Sequence, residues 1–99
     1  MPQFDVHRLK AGPELVVDCQ ADLLQNLNTR FVVPLIARER APAPAQRLNP
    51  VFMLAGREHV MVTQFAAAVP KRELGEILLS LRDRSFEVVA ALDVLVSGV

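Results

Sequence analysis

Tryptophan and tyrosine are absent from this 99-residue chain, and its only aromatic side chains are five phenylalanines. Platforms on which single-stranded bases stack are therefore scarce. Cysteine is almost absent: Cys19 stands alone. No disulfide can form within the chain, and a cytoplasmic location is expected. Net charge is missing too, since eleven Lys and Arg balance eleven Asp and Glu. Binding along a nucleic-acid backbone draws on clustered positive charge. A balanced chain leaves room for a local basic patch but gives no general sign of one. His7, His59 and Cys19 do not supply the three or four closely spaced ligands that zinc takes, so no metal and no cofactor is expected. No apolar run reaches the roughly 18–20 residues of a membrane span. Met1-Pro2-Gln3-Phe4-Asp5 lacks the basic start and apolar stretch of a signal peptide. A glycine-rich phosphate loop and a serine-centred elbow are also missing. Glu39 between Arg38 and Arg40 reads as a solvated charge run rather than an acid–base cluster. Cys19 reads as a small buried residue rather than a nucleophile, and His59 as a surface histidine. No catalytic residue emerges, and the chain is read as a non-enzyme.

What is present is apolar surface. Hydrophobic residues make up 52% of the chain and charged residues 22%, which predicts a folded domain spanning residues 1–99. A domain of this size buries roughly 60–65% of its unfolded surface. The apolar excess points to an interface with a second chain.

The order of elements is strands first, helix last. Phe4 to Arg8 alternates, with Phe4 and Val6 predicted inward and Asp5 and His7 outward. Ala11-Gly12-Pro13 ends that strand, and Leu15 to Cys19 is a second. Arg30 to Ile36 is a third; Pro34 has no N–H to donate, so an edge position or a bulge is expected. The prolines of Ala41-Pro42-Ala43-Pro44-Ala45 make 38–49 an exposed loop. Val51–Leu54 and His59–Thr63 read as a hairpin around Ala55-Gly56-Arg57-Glu58. Val69-Pro70-Lys71-Arg72 interrupts the chain, and 73–81 fits a strand or a helical turn equally well.

Asp83 to Val96 is predicted to be a helix about 21 Å long, with Asp83 as N-cap and Glu87 suited to the positive end of the dipole. Val88, Ala91, Leu92 and Leu95 form a core stripe, while Phe86, Val89 and Val96 form a second apolar face with Ala90 between. One face on the sheet and one on a second copy, in a two-fold homodimer, satisfies both. The alternative is a helix enclosed by a curled sheet of its own chain. Asp93 opposes the helix dipole at a cost of about 0.3–1 kcal/mol. Ser97 lies one turn further on, and with Gly98 and Val99 makes a compact exposed tip. From the residues alone that tip is a frayed end with a glycine cap.

Several stretches in order resemble the CcdB family of toxin–antitoxin toxins. They are Gln3-Phe4-Asp5-Val6, Leu15 to Leu24, Arg30-Phe31-Val32-Val33-Pro34-Leu35, Leu48-Asn49-Pro50-Val51, Met61-Val62-Thr63, Ala68-Val69-Pro70 and Ala91 to Val99. The resemblance implies a mainly β fold with a C-terminal helix: a small SH3-like twisted barrel or sheet, assembled as a homodimer. It implies a toxin that binds the DNA gyrase A subunit and traps the cleaved enzyme–DNA complex. A cognate antitoxin would neutralise it, bind operator DNA and repress the operon with the toxin as co-repressor, so that operator DNA is reached only through the antitoxin. The family's gyrase contacts fall on Leu23, Leu24, Asp93, Ser97, Gly98 and Val99. The plasmid-borne toxin of that family has tryptophan in place of Ser97, and Asp93 replaces a neutral amide. A buried interface tryptophan can carry about 2–4 kcal/mol. Three outcomes follow: a weak poison, a poison matched to a gyrase surface that suits serine, or a non-toxic remnant that only binds antitoxin. Ribonuclease toxins share the architecture and are the enzymatic alternative, since fold alone does not decide function.

Overall fold

A computed structural model describes residues 2–99. Seven strands precede one helix: β1 (Asp5–Leu9), β2 (Leu15–Asp18), β3 (Thr29–Ala37), β4 (Val51–Leu54), β5 (Arg57–Met61), β6 (Ala67–Pro70), β7 (Leu74–Ser80) and α1 (Ser85–Ser97). The strands form one sheet in the order β4-β5-β3-β2-β1-β7, with β6 paired to β3. Every pairing is antiparallel. The sheet curls into a half-barrel, and α1 packs against it through Val88 and Ala91. The fold is mainly β with a C-terminal helix, as expected.

β3 organises the sheet. Its first half pairs with β6, from Thr29↔Pro70 to Val32↔Ala67. Its second half pairs with β5, from Leu35↔Met61 to Ala37↔His59. Pro34 lies where one partner gives way to the other, so its missing N–H interrupts no ladder there. Its carbonyl accepts from the Val62 N–H at 3.0 Å. The expected edge strand is thus a central one. β6 itself was not legible, because four residues ending at Pro70 carry too little pattern.

The main core lies between the sheet and α1. It contains Val6, Val17, Val33 and Leu35 from the sheet, Phe52 and Leu54 from β4, and Val88 and Ala91 from the helix. Phe4 joins it from just outside β1, in a left-handed conformation with φ 74°. Asp5 and His7, expected outside, are buried. The cause is a second, smaller core of Val16, Val32 and Leu74 on the opposite face of the sheet. The pairing His7↔Val16 places His7 on that face, and its Nδ1 meets the Gly75 carbonyl at 3.1 Å.

Asp18 and Arg30 share that side of the sheet. Both side chains are fully buried, and Arg30 Nη2 lies 2.8 Å from Asp18 Oδ2. Arg30 Nε donates to the same oxygen at 2.8 Å, and the Gln20 N–H donates to Oδ1 at 3.1 Å. A buried ion pair contributes little net stability, but removing one of its partners is costly.

The β4–β5 hairpin turns on Ala55-Gly56 alone. Positive φ at both, 52° and 78°, suits the tight two-residue turn whose twist matches the strands. The predicted four-residue connection counted Arg57 and Glu58 as loop; both are in β5. The 38–49 loop is exposed until Asn49, which is buried. Asn49 Oδ1 accepts from the Ala45 N–H at 3.0 Å, and Nδ2 donates to the Met61 carbonyl at 3.1 Å. Of residues 73–81, open in sequence, Leu74–Ser80 form β7 against β1.

The helix begins at Ser85, after a 3-10 turn at Arg82–Arg84, and not at Asp83. Arg84 takes the N-cap position, and no side chain caps the end. Arg84 instead pairs with Glu87 one turn on and lies 4.7 Å from the centre of the Phe52 ring. The hydrogen bond from Arg84 holds the Glu87 carboxyl below its usual range.

Candidate functional site

The two sides of α1 meet different surroundings. Val88 and Ala91 are fully buried, and Leu92 packs against the same core. Leu95, predicted to belong to this stripe, is instead exposed. On the outward side Phe86 is 87% exposed and Val96 84%, with Val89 also exposed. The 3.6-residue period sets Asp93 and Ser97 on this same side. Nothing in the described chain covers it.

Local chemistry fixes the helix end. Gly98 adopts φ 77°, a left-handed cap that costs other residues strain, and its N–H donates to the Val94 carbonyl at 2.9 Å. Ser97 Oγ donates to the Asp93 carbonyl at 2.8 Å. The glycine cap expected from the sequence is thus present, and it closes the helix end. Val99 projects beyond it, 72% exposed. Asp93, Ser97, Gly98 and Val99 come together as one patch.

Leu23 and Leu24 lie elsewhere, on a 3-10 turn at Asp22–Leu24 that the sequence did not reveal. Gln20 secures it: Nε2 donates to the Leu24 carbonyl at 2.8 Å, and Oε1 accepts from the Phe31 N–H at 2.9 Å. Asp22 Oδ1 accepts from the Gln3 N–H at 2.8 Å. Asp22 Oδ2 also lies 4.0 Å from Arg82, just before α1 begins. Leu23 is thus held 92% exposed on a hydrogen-bonded turn. This turn is tied to the chain entering α1, whereas the tail lies about 20 Å further along the helix. A single chain brings the six positions together as two patches, not one.

Moving a large apolar side chain from water to a partner's surface contributes about 1.5–3 kcal/mol. Leu23 stands on a hydrogen-bonded turn and Phe86 and Val96 on a helix, so their backbones are already ordered before any partner arrives, which lowers the entropy lost on binding.

The groups considered for chemistry stay apart. Cys19 is buried, and its thiol is pushed up to about 12, first by burial and then by the neighbouring Asp18 carboxylate. It remains a neutral thiol at cellular pH and a poor nucleophile. Glu39 pairs with Arg57, and Arg38 lies 3.4 Å from Glu58, all at the exposed surface. Backbone hydrogen bonding, then Arg57, holds the Glu39 carboxyl low, which suits a standing charge better than a proton carrier. Among the described residues no group of His, Cys, Asp or Glu is placed to hold a metal. Nor, among those residues, is any helix long and apolar enough to cross a membrane.

A shallow groove remains on the sheet. Leu15, Leu35, Ile36 and Leu54 are among its lining, with Arg40 and His59 also on its wall. His59, read as a surface residue, is half-buried there.

Compared with known protein families, residues 3–98 match the CcdB protein family. The chain belongs to the CcdB family. It is a toxin of the toxin–antitoxin kind. The match runs through the Leu23–Leu24 turn and nearly the whole tail, so both patches lie within the family domain. Within this CcdB-family fold, the exposed side of α1 carries serine at position 97 and contains no tryptophan.

Proposed function

We propose that this protein is a DNA gyrase poison: it binds the gyrase A subunit and traps the cleaved enzyme–DNA complex. The observation that carries this reading is the capped tail at the end of α1, which its own chain leaves uncovered. Asp93, Ser97, Gly98 and Val99 are the tail contacts, with Leu23 and Leu24 as a second point of attachment. Serine at 97 offers less area than tryptophan and a hydroxyl already engaged with the Asp93 carbonyl. The target surface is therefore a gyrase shaped to a small polar tip. Binding, not catalysis, performs the work.

Two further partners belong to this reading. A second copy of the chain covers Phe86, Val89 and Val96, in a homodimer of the kind common among small apolar domains. A cognate antitoxin takes the exposed 38–49 loop and the adjoining groove; apolar floor and arginine rim suit a short acidic segment. Bound to that antitoxin, the toxin acts as co-repressor at the operator.

Purified protein, host gyrase and supercoiled plasmid test the proposal together. Linear DNA should accumulate on denaturing the complex, and the protein should co-elute with the A subunit. No cleaved DNA and no binding would overturn the reading. Cutting of mRNA under the same conditions would favour a ribonuclease instead.

A further inference from the structure

Zero net charge conceals an uneven distribution. Arg8, Arg30, Arg38, Arg57, Arg82 and Arg84 each form an ion pair with a carboxylate. Lys10, Arg40, Arg47, Lys71 and Arg72 form none among the described residues. Three of these five, Lys10, Lys71 and Arg72, line one concavity of about 470 Å³ together with Asn28 and Leu74.

The chain builds this notch from three loops. Lys10 follows β1, Asn28 precedes β3, and Lys71 and Arg72 connect β6 to β7. Backbone hydrogen bonds hold the loops in register: the Lys10 N–H donates to the Glu73 carbonyl at 2.9 Å, and the Lys71 N–H to the Asn28 carbonyl at 2.8 Å. Lys10 also passes over Gly75, where an added Cβ would come within 3.6 Å of its Cγ and 2.6 Å of the Arg8 carbonyl. Lys71 Nζ reaches only the Gln25 carbonyl, at 3.4 Å. Glu73 follows Arg72 in sequence, but its side chain is not part of the lining.

We propose that this notch docks the phosphodiester backbone of duplex DNA, with Lys10, Lys71 and Arg72 neutralising phosphates and Asn28 donating a hydrogen bond. The lining selects this ligand over others. Its one apolar residue, Leu74, is buried, so a protein partner finds no anchor of the kind that dominates protein interfaces. No phenylalanine lines it, so unpaired bases find no stacking surface. Three cations without base-reading geometry position a backbone and read no sequence. The inference stands whether or not gyrase is the target. It adds a direct DNA contact to any assembly in which the toxin is held near DNA.

Fluorescence anisotropy with a labelled duplex of about 20 bp, titrated with the full chain at several salt concentrations, tests it. Each neutralised phosphate contributes about −0.9 to the slope of log K against log salt, so the expected slope is about −2.7. Lys10→Gln with Lys71→Gln and Arg72→Gln should weaken binding at low salt at least about tenfold and bring the slope close to zero. All three residues are exposed, and circular dichroism should show an unchanged fold. Arg40→Gln, outside the notch, should bind like the parent. Equal binding by the triple variant would overturn the proposal. So would an Arg40→Gln loss as large as the triple variant's, or tighter binding of single-stranded RNA or polyglutamate than of the duplex.

Discussion

The far face of the sheet and the outward side of the helix are opposites. At the first, a carboxylate and a guanidinium are fully enclosed. At the second, phenylalanine and valine stand in water. Each inverts the usual distribution of polar and apolar groups. Asp18 and Arg30 are tolerated inside because they meet each other and the Gln20 N–H. Phe86 and Val96 have no such compensation within the chain. The difference separates a region that the chain completes by itself from one that it leaves uncovered.

Substitution should separate the two regions by the size and kind of loss. Asp18→Asn leaves the Arg30 guanidinium facing a neutral amide in the interior and should cost about 3–5 kcal/mol in urea unfolding. A cost near zero would mean that water reaches the pair. Phe86→Ser combined with Val96→Ser should change the stability of the isolated chain by less than about 0.5 kcal/mol. Sedimentation should nevertheless show a dimer converted to monomer. A double variant that still sediments as a dimer would move the two-fold interface elsewhere.

The smallest expected effect sharpens the contrast between buried and exposed ion pairs. Glu87→Gln breaks the surface pair with Arg84 and should cost only about 0.2–0.5 kcal/mol at neutral pH. The folded Glu87 carboxyl is held below the ordinary glutamate value by the hydrogen bond from Arg84. Its contribution is therefore present above that value and fades as pH falls through the lower folded one. Parent and variant should become equally stable in acid. A gap that persists in acid would point to a packing role for the side chain.

Much of this fold was legible in periodicity. The strands β1 to β5 and the terminal helix all announced themselves, as did the helix's two apolar faces. What escaped depended on neighbours distant in sequence. Pro34 looked like an edge residue because nothing local shows that β3 changes partner beside it. Asp5 and His7 looked like solvent-facing alternates because the second core behind them is assembled from Val16, Val32 and Leu74. Asp83 looked like a cap, but the chain takes an extra 3-10 turn before the helix starts. The tail residues are singled out as a candidate site only by family likeness. By themselves Ser97, Gly98 and Val99 are a glycine-capped helix end, and only the structure shows its outward side to be bare. Leu23 shows the same limit: its exposure is set by Gln20 and Asp22 holding the turn.

The central claim is that the capped tail of α1 holds the target. Titrating the host gyrase A subunit with the full chain and with a chain ending at Val96 tests it most directly. The full chain should bind saturably, and the shortened chain, equally folded by circular dichroism, should lose at least about 30-fold in affinity, the equivalent of about 2 kcal/mol. Equal affinity of the two would contradict the account.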